Sequence, residues 1–115
     1  MTTQLKGPYS LQVDTIRQAV SPRRLGVFAL GHIDHANTFR IERVGRSDEE
    51  LREELMKFVG SSSHFKFKLT MTAMQTFRLE CELFHRFRPQ GNFIHPTRPP
   101  NTTWACPVCR DRSLG

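Results

Sequence analysis

The sequence has no long hydrophobic segment, and its longest uncharged apolar run covers only residues 25–30. A membrane-spanning helix needs about 20 such residues, so the chain is expected to make no membrane contact. Residues 1–7 also lack the apolar stretch of a signal peptide. We therefore expect a soluble, cytoplasmic protein.

Cysteine is scarce, with three among 115 residues. An odd number without a secretion signal argues against a disulfide framework and favours reduced thiols or metal ligands. Trp and Tyr occur once each, whereas nine Phe are available to build a core. The length leaves room for one small domain.

Acidic residues are also few, with 11 Asp and Glu against 17 Lys and Arg, which gives a net charge of +6. Thirteen of the basic residues are Arg. The guanidinium group binds phosphate through two parallel hydrogen bonds, so this excess favours nucleic acid as a partner. The alternative is a basic but otherwise ordinary globular protein. Oligomeric state cannot be inferred from these numbers.

Hydrophobic periodicity predicts a mixed α/β fold, an α+β sandwich in which helices flank a small, mainly antiparallel, three-stranded sheet. The predicted strands are 25–32, 38–44 and 64–69, and the predicted helices are 48–59 and 72–87. Ser47 and Glu50 have the spacing of a capping box at the start of the first of these helices. In the last strand, Lys66 and Lys68 alternate with Phe and Leu, so one side of this strand is basic.

Composition divides the chain into three parts. Residues 1–24 form an N-terminal arm or a short helix, for which 11–20 is the candidate segment. Residues 25–92 form the domain. Residues 93–115 form a Pro-rich tail that contains the pair Cys106 and Cys109.

The order strand, strand, helix, strand, helix resembles the GIY-YIG nuclease superfamily over residues 25–92. Gly26-Val27-Phe28 lies on the first strand, and Val44-Gly45-Arg46-Ser47 follows the second. The segment Glu80 to Asn92 is similar to the family's Glu-x-x-Leu and Arg-Pro-x-x-Asn motifs. The tail, with its Cys-Pro-Val-Cys sequence, is similar to those of small stand-alone bacterial members.

The resemblance implies a DNA endonuclease in which Glu80 holds Mg²⁺ or Mn²⁺ and arginines neutralise the phosphate. Arg46 and Arg43 are the candidates for that second role. The chain departs from the family pattern because its two Tyr positions fall on Phe28 and Arg43, and its helix Arg falls on Glu53 or Glu54. Three hypotheses follow: a degenerate metal-dependent phosphodiesterase, a catalytically inactive binding or regulatory module on the same scaffold, and a zinc-stabilised protein-interaction module.

DNA contacts are predicted for a set of basic and amide side chains: Arg43, Arg46, Lys66, Lys68, Arg78 and Asn92. Two of the motif residues also have plainer interpretations. Glu80 could pair with Arg78 or Arg86 at the surface, and Asn92 could cap a turn.

Cys106 and Cys109 have the two-residue spacing that lets both thiolates bind one tetrahedral Zn²⁺. Two more ligands must come from elsewhere in the chain. We predict His95, which is close in sequence, together with either His85 or Cys81. The alternative is a pair of reduced surface thiols or a redox dithiol.

Overall fold

A computed structural model of the chain describes residues 4–89, 91 and 95–109. These residues form an α+β fold of four strands and three helices. In chain order they are β1 (Lys6–Ser10), α1 (Val13–Ala19), β2 (Leu25–Ile33), β3 (Phe39–Ser47), α2 (Leu51–Met56), β4 (His64–Thr70) and α3 (Ala73–Phe87). No described helix is both long enough and apolar enough to cross a membrane.

The strands form one antiparallel sheet in the order β1-β4-β2-β3. The predicted mixed fold and antiparallel pairing are confirmed, but the predicted count of three strands is wrong. The fourth strand, β1, contains Gly7-Pro8 and has no apolar alternation to reveal it. Its Tyr9 packs on Phe65 and Phe67, with ring centroids 5.6 and 5.9 Å apart, and this packing holds the strand on β4.

The two faces of the sheet carry separate clusters of apolar side chains. On the first face, Phe28, Phe65 and Phe67 pack under α1 and α2. On the second face, Val27 and Val44 pack under α3. Because side chains alternate along a strand, residues an odd number of positions apart in a regular strand point to opposite faces.

Within the candidate segment 11–20, residues Val13–Ala19 form the short helix α1, and this helix packs against the core of the domain. Ile16 and Val20 are completely buried against the first face. The Arg52 side chain of α2 donates hydrogen bonds to the carbonyls of Val20 and Arg17 at 2.9 and 2.8 Å. Of the two alternatives for this segment, an arm or a short helix, the described residues contain the helix.

The helix predicted at 48–59 is shorter, since α2 begins at Leu51 and ends at Met56. The Ser47 hydroxyl accepts a hydrogen bond from the Glu50 N–H at 2.9 Å, as a capping box requires. The Glu50 carboxylate, however, accepts from the Arg23 N–H at 3.1 Å and does not complete the box. The helix predicted at 72–87 is confirmed as α3, and the Thr72 side chain caps it by accepting from the Gln75 N–H at 3.1 Å.

Candidate metal centre and buried ion pair

Four metal-ligating side chains meet where the end of α3 contacts the tail. His85 comes from the last turn of α3, whereas His95, Cys106 and Cys109 come from the chain that follows it. Their ligand atoms all lie within 4.8 Å of one another. The Nε2 atoms of His85 and His95 are 3.1 Å apart, and Cys109 Sγ lies 3.2 and 3.4 Å from them.

These separations fit the edges of a small coordination tetrahedron. Zn–N bonds of about 2.0–2.1 Å and Zn–S bonds of about 2.3 Å give ligand-to-ligand edges of about 3.3–3.8 Å. The measured distances of 3.1–3.4 Å are close to the short end of that range. The His₂Cys₂ group could therefore hold a metal ion such as zinc.

The ring of His95 is oriented by its own chain. Its Nδ1 lies 2.8 Å from the Pro96 carbonyl oxygen, which can only accept, so Nδ1 carries the proton. In the neutral ring this leaves the Nε2 lone pair directed at the cluster. Metal-binding histidines commonly have a backbone carbonyl in this second position, because it fixes the tautomer and the ring plane.

The structure selects His85, not Cys81, as the partner of the three tail residues. Cys81 is completely buried and packs with Phe77, Cys106 and Trp104. Burial raises the pKa of the Cys81 thiol far above its ordinary value, so it stays protonated. Cys81 is therefore a core residue.

The Cys106 thiol, in contrast, favours its deprotonated form. Its burial would by itself raise the pKa of the thiol, but the surrounding hydrogen bonds, the largest of them from the Cys109 backbone N–H, outweigh that effect and lower the pKa. A thiolate is the form that binds metal. Of these two neighbouring thiols, Cys81 is thus kept neutral and Cys106 is favoured as the thiolate.

A second polar cluster lies on the second face of the sheet, between β3 and α3. The Arg46 guanidinium donates to Glu80 Oε1 at 2.5 Å and to Asp48 Oδ1 at 3.0 Å. It also donates to the Thr97 carbonyl of the tail, and it stacks over the Phe77 ring at 5.3 Å from the centroid. Glu80 is only 8% exposed. With these partners on every side, the side chain of Arg46 is only 13% exposed and is surrounded by protein groups.

One guanidinium serves two carboxylates in this cluster. Burial raises the pKa of Glu80, and the nearby Arg46 offsets only part of that rise. Burial also acts to lower the pKa of Arg46, but its hydrogen bond to Asp48 and its attraction to Glu80 raise it overall. Arg46 stays charged and serves two carboxylates. The sequence prediction paired Glu80 with Arg78 or Arg86 as its plain interpretation, and the structure pairs it with Arg46.

Arg43 lies apart from Glu80, although both were predicted to act in catalysis. It pairs across the strands with Leu30 on the first face, and its guanidinium is 5.4 Å from the Phe58 ring centroid. There it lines a cleft of about 360 Å³ together with Ser61 and Ser62. Arg43 and Arg46 are three residues apart on one strand, so the alternation of side chains could have revealed this separation.

The other predicted DNA-binding residues are distributed as follows. Lys66 and Lys68 lie on the second face of β4, opposite Ala29 and Val27 of β2. Arg78 is exposed on α3. Asn92 lies outside the described residues.

Sequence reasoning missed Asp48 and Thr97 as partners of Arg46. Asp48 is only two positions away from Arg46, but it was interpreted as part of a helix.

Comparison with protein-family models gives no match, and no curated protein or solved structure matches the chain. The GIY-YIG resemblance therefore stays a prediction. The function has to be argued from the side chains described above.

Proposed function

We propose that this protein is a DNA-binding module on a GIY-YIG-like scaffold and that it binds the duplex through the basic side of β4. The observation that carries the proposal is the absence of acidic partners for the cations concerned. Within the described residues, no acidic side chain forms a salt bridge with Lys66, Lys68, Arg43 or Arg78. Their charge is thus available to phosphate.

Lys66 is held in place without losing its charge. Its amine lies 5.2 Å from the centroid of the Phe39 ring, on the same face of the sheet. A cation over an aromatic ring is oriented by the ring's negative face and keeps its full positive charge. Lys68 projects from the same side of β4, two residues further along.

The second face is also the better side for DNA because the acidic helix lies on the other one. α2 has Glu53 and Glu54 in its first turn and packs its Leu51 and Leu55 against the first face. A duplex on the second face avoids these carboxylates. Arg43 shares the first face with α2, so we assign it a lesser role in binding.

Binding is favoured over hydrolysis by the state of the predicted catalytic residues. For Glu80 to hold Mg²⁺ or Mn²⁺, its carboxylate would have to exchange Arg46 for the ion. Arg46 in turn is engaged by Glu80, Asp48 and the Thr97 carbonyl, so it has little capacity left for phosphate. The Tyr position at Phe28 supplies no proton relay.

In this proposal the metal of the His₂Cys₂ group is Zn²⁺ and its role is structural. Zn²⁺ accepts both imidazole and thiolate ligands, and four protein ligands complete a tetrahedral sphere. A closed sphere leaves no position for a reacting water, in contrast to catalytic zinc sites.

The experiment measures the affinity for a short duplex by fluorescence anisotropy over a range of salt concentrations. Wild-type affinity should fall steeply with salt, because each phosphate contact contributes about 0.9 to the slope of log K against log salt. The Lys66→Gln and Lys68→Gln double variant should reduce that slope by about 1.8, since it removes two contacts.

The matched control is Lys57→Gln, which removes a lysine charge beside Glu54 at the end of α2. This variant should leave the salt slope unchanged. Failure of the wild type to bind at low salt would refute the proposal. An unchanged slope in the double variant, with a reduced slope in Arg43→Gln, would move the DNA to the first face.

A further inference from the structure

We propose that one Zn²⁺ ion bound by His85, His95, Cys106 and Cys109 fastens the tail, residues 95–109, to α3, and that the fastened tail closes the Arg46–Glu80 pair. This inference goes beyond DNA binding and does not depend on it. It assigns to the ion a defined mechanical role, which is to join two parts of the chain that have few other contacts.

The four ligands come from both parts of the chain that the ion would join. One ligand, His85, comes from the regular helix α3, and three come from the tail. An ion that binds all four therefore connects the tail to a rigid element at its last turn. Because the tail supplies ligands near both of its ends, at His95 and at Cys109, the ion closes the intervening residues into a loop.

The tail has little else to hold it in place. Its described residues contain only a single helical turn, at 107–109, and no strand. Among the described residues, its apolar contacts with α3 are mainly those of Trp104, Cys106 and Val108 with the cluster of Phe77 and Cys81, together with the His95 ring against Phe84. A segment that buries so little apolar surface cannot offset the entropy of ordering its backbone, so metal binding energy is needed to dock it.

The position of the tail affects the ion pair through one backbone group. Thr97, two positions after the ligand His95, directs its carbonyl to the Arg46 guanidinium. Fixing the His95 ring on the metal thus sets the position of this carbonyl, and releasing the ring removes one acceptor from Arg46.

Trp104 offers a direct measurement because it is the sole Trp of the chain and packs, half-buried, against the contact between the tail and α3. Purified protein, or protein reconstituted with Zn²⁺, should contain one zinc per chain by elemental analysis. Removing the metal with a strong chelator should shift the Trp104 emission to longer wavelength. Hydrogen exchange should then increase in residues 95–109 first, while the strands β2 and β4 stay protected.

Variants separate ligands from neighbours. Cys109→Ser and His85→Ala should lose the zinc and give the red-shifted emission without any chelator. Cys81→Ala, which alters a buried thiol beside the site, should keep one zinc per chain, and so should His35→Ala in the exposed loop between β2 and β3. Zn²⁺ added back to the chelated wild type should restore the emission, and Mg²⁺ should not.

Three results would overturn the inference. They are a failure of the wild type to take up Zn²⁺, full zinc content in both ligand variants, and a tail that stays protected with unshifted Trp104 emission after the metal is gone. Since elemental analysis, emission and hydrogen exchange are all measured without DNA, these results are independent of the test on Lys66 and Lys68.

Discussion

At the scale of single residues, Phe28 shows how closely the first face is packed. Its side chain is 1% exposed, and its ring lies 5.6 Å from the Phe58 ring, centroid to centroid. A Cβ added at Gly45 would lie 2.5 Å from Phe28 Cζ, so the ring tip rests against the glycine backbone. The family resemblance places a Tyr at this position, and the structure leaves little room for its hydroxyl.

Phe28→Tyr should therefore destabilise the protein by about 1–3 kcal/mol, because the new hydroxyl is buried in a tightly packed core without a partner. Phe58→Tyr is the matched control. Phe58 is only half-buried and lines the cleft beside Arg43, so its hydroxyl can reach water, and the change should cost less than about 0.5 kcal/mol. Urea unfolding of the three proteins measures the difference, and equal stability of wild type and Phe28→Tyr would contradict the packing described here.

Glu80 gives a prediction about pH. Its pKa in the folded protein is raised above the ordinary value of 4.5, mainly by burial. A group with a raised folded pKa contributes stability below its unfolded pKa and loses that contribution as the pH rises through the folded pKa. The neutral variant Glu80→Gln has no such loss, so the stability of the wild type relative to this variant should fall as the pH rises above about 4.5.

The measurement compares urea unfolding of wild type and Glu80→Gln at a series of pH values between acid and neutral. Titrations common to both proteins, including those of the metal ligands, cancel in the difference. Glu82→Gln makes the same change on the exposed side of α3 and serves as the control. If the stability of the wild type relative to Glu80→Gln instead rose with pH, Arg46 would lower the pKa of Glu80 more than burial raises it.

At the scale of elements, the strongest local patterns were the ones that the sequence predicted well. β2 has a continuous apolar run, β3, β4 and α3 have alternating or helical apolar positions, and each forms close to its predicted bounds. The strand β1 has no such run, because it is defined by its pairing with β4. The start of α2 depends on a contact that is distant in sequence. The Arg23 backbone N–H donates a hydrogen bond to the Glu50 carboxylate.

The candidate metal residues were predictable for a related reason. The Cys106 and Cys109 spacing is a local signal, and His95 was predicted from its closeness in sequence to this pair. The choice between His85 and Cys81 was not local, since both lie on α3 one turn apart. Only the docking of the tail decides it, by burying Cys81 beside Trp104 and bringing His85 to the thiol of Cys109.

The helix α1 allows a test of whether the N-terminal segment is part of the fold. Ile16 is completely buried in the core of the first face, whereas Val13 on the same helix is 40% exposed. Ile16→Ala should cost about 2–5 kcal/mol because it leaves a cavity in that core, and Val13→Ala should cost about 0.5 kcal/mol or less. Thermal or urea unfolding measures both. Equal effects would mean that α1 is only loosely attached.

At the scale of the whole molecule, the two faces of the sheet divide the charges that the sequence had grouped together. Arg43 lies with the acidic helix on the first face, and Arg46 lies with Glu80 on the second. No single phosphate can meet both arginines beside Glu80, as the endonuclease hypothesis needs. This separation supports the proposed binding role over the endonuclease hypothesis.

We expect no nicking of supercoiled DNA by the purified protein in the presence of Mg²⁺ or Mn²⁺. The reason is that Glu80 is already neutralised by Arg46 and no tyrosine stands at Phe28. Gel analysis with Glu80→Ala as the comparison decides the matter. Nicking that requires the divalent ion and disappears in Glu80→Ala would restore the metal-dependent phosphodiesterase hypothesis.

The two edge strands of the sheet differ in length but share a property that affects how copies of the protein meet. β1 is five residues long and includes Pro8, which has no N–H to offer to another strand. β3 is nine residues long, is bulged opposite Gly31, and bears Arg40, Arg43 and Arg46 at every third position. Open strand edges are where folded proteins recruit further strands and aggregate. A short edge that contains a proline and a long edge that a bulge interrupts are both poor templates for a further strand.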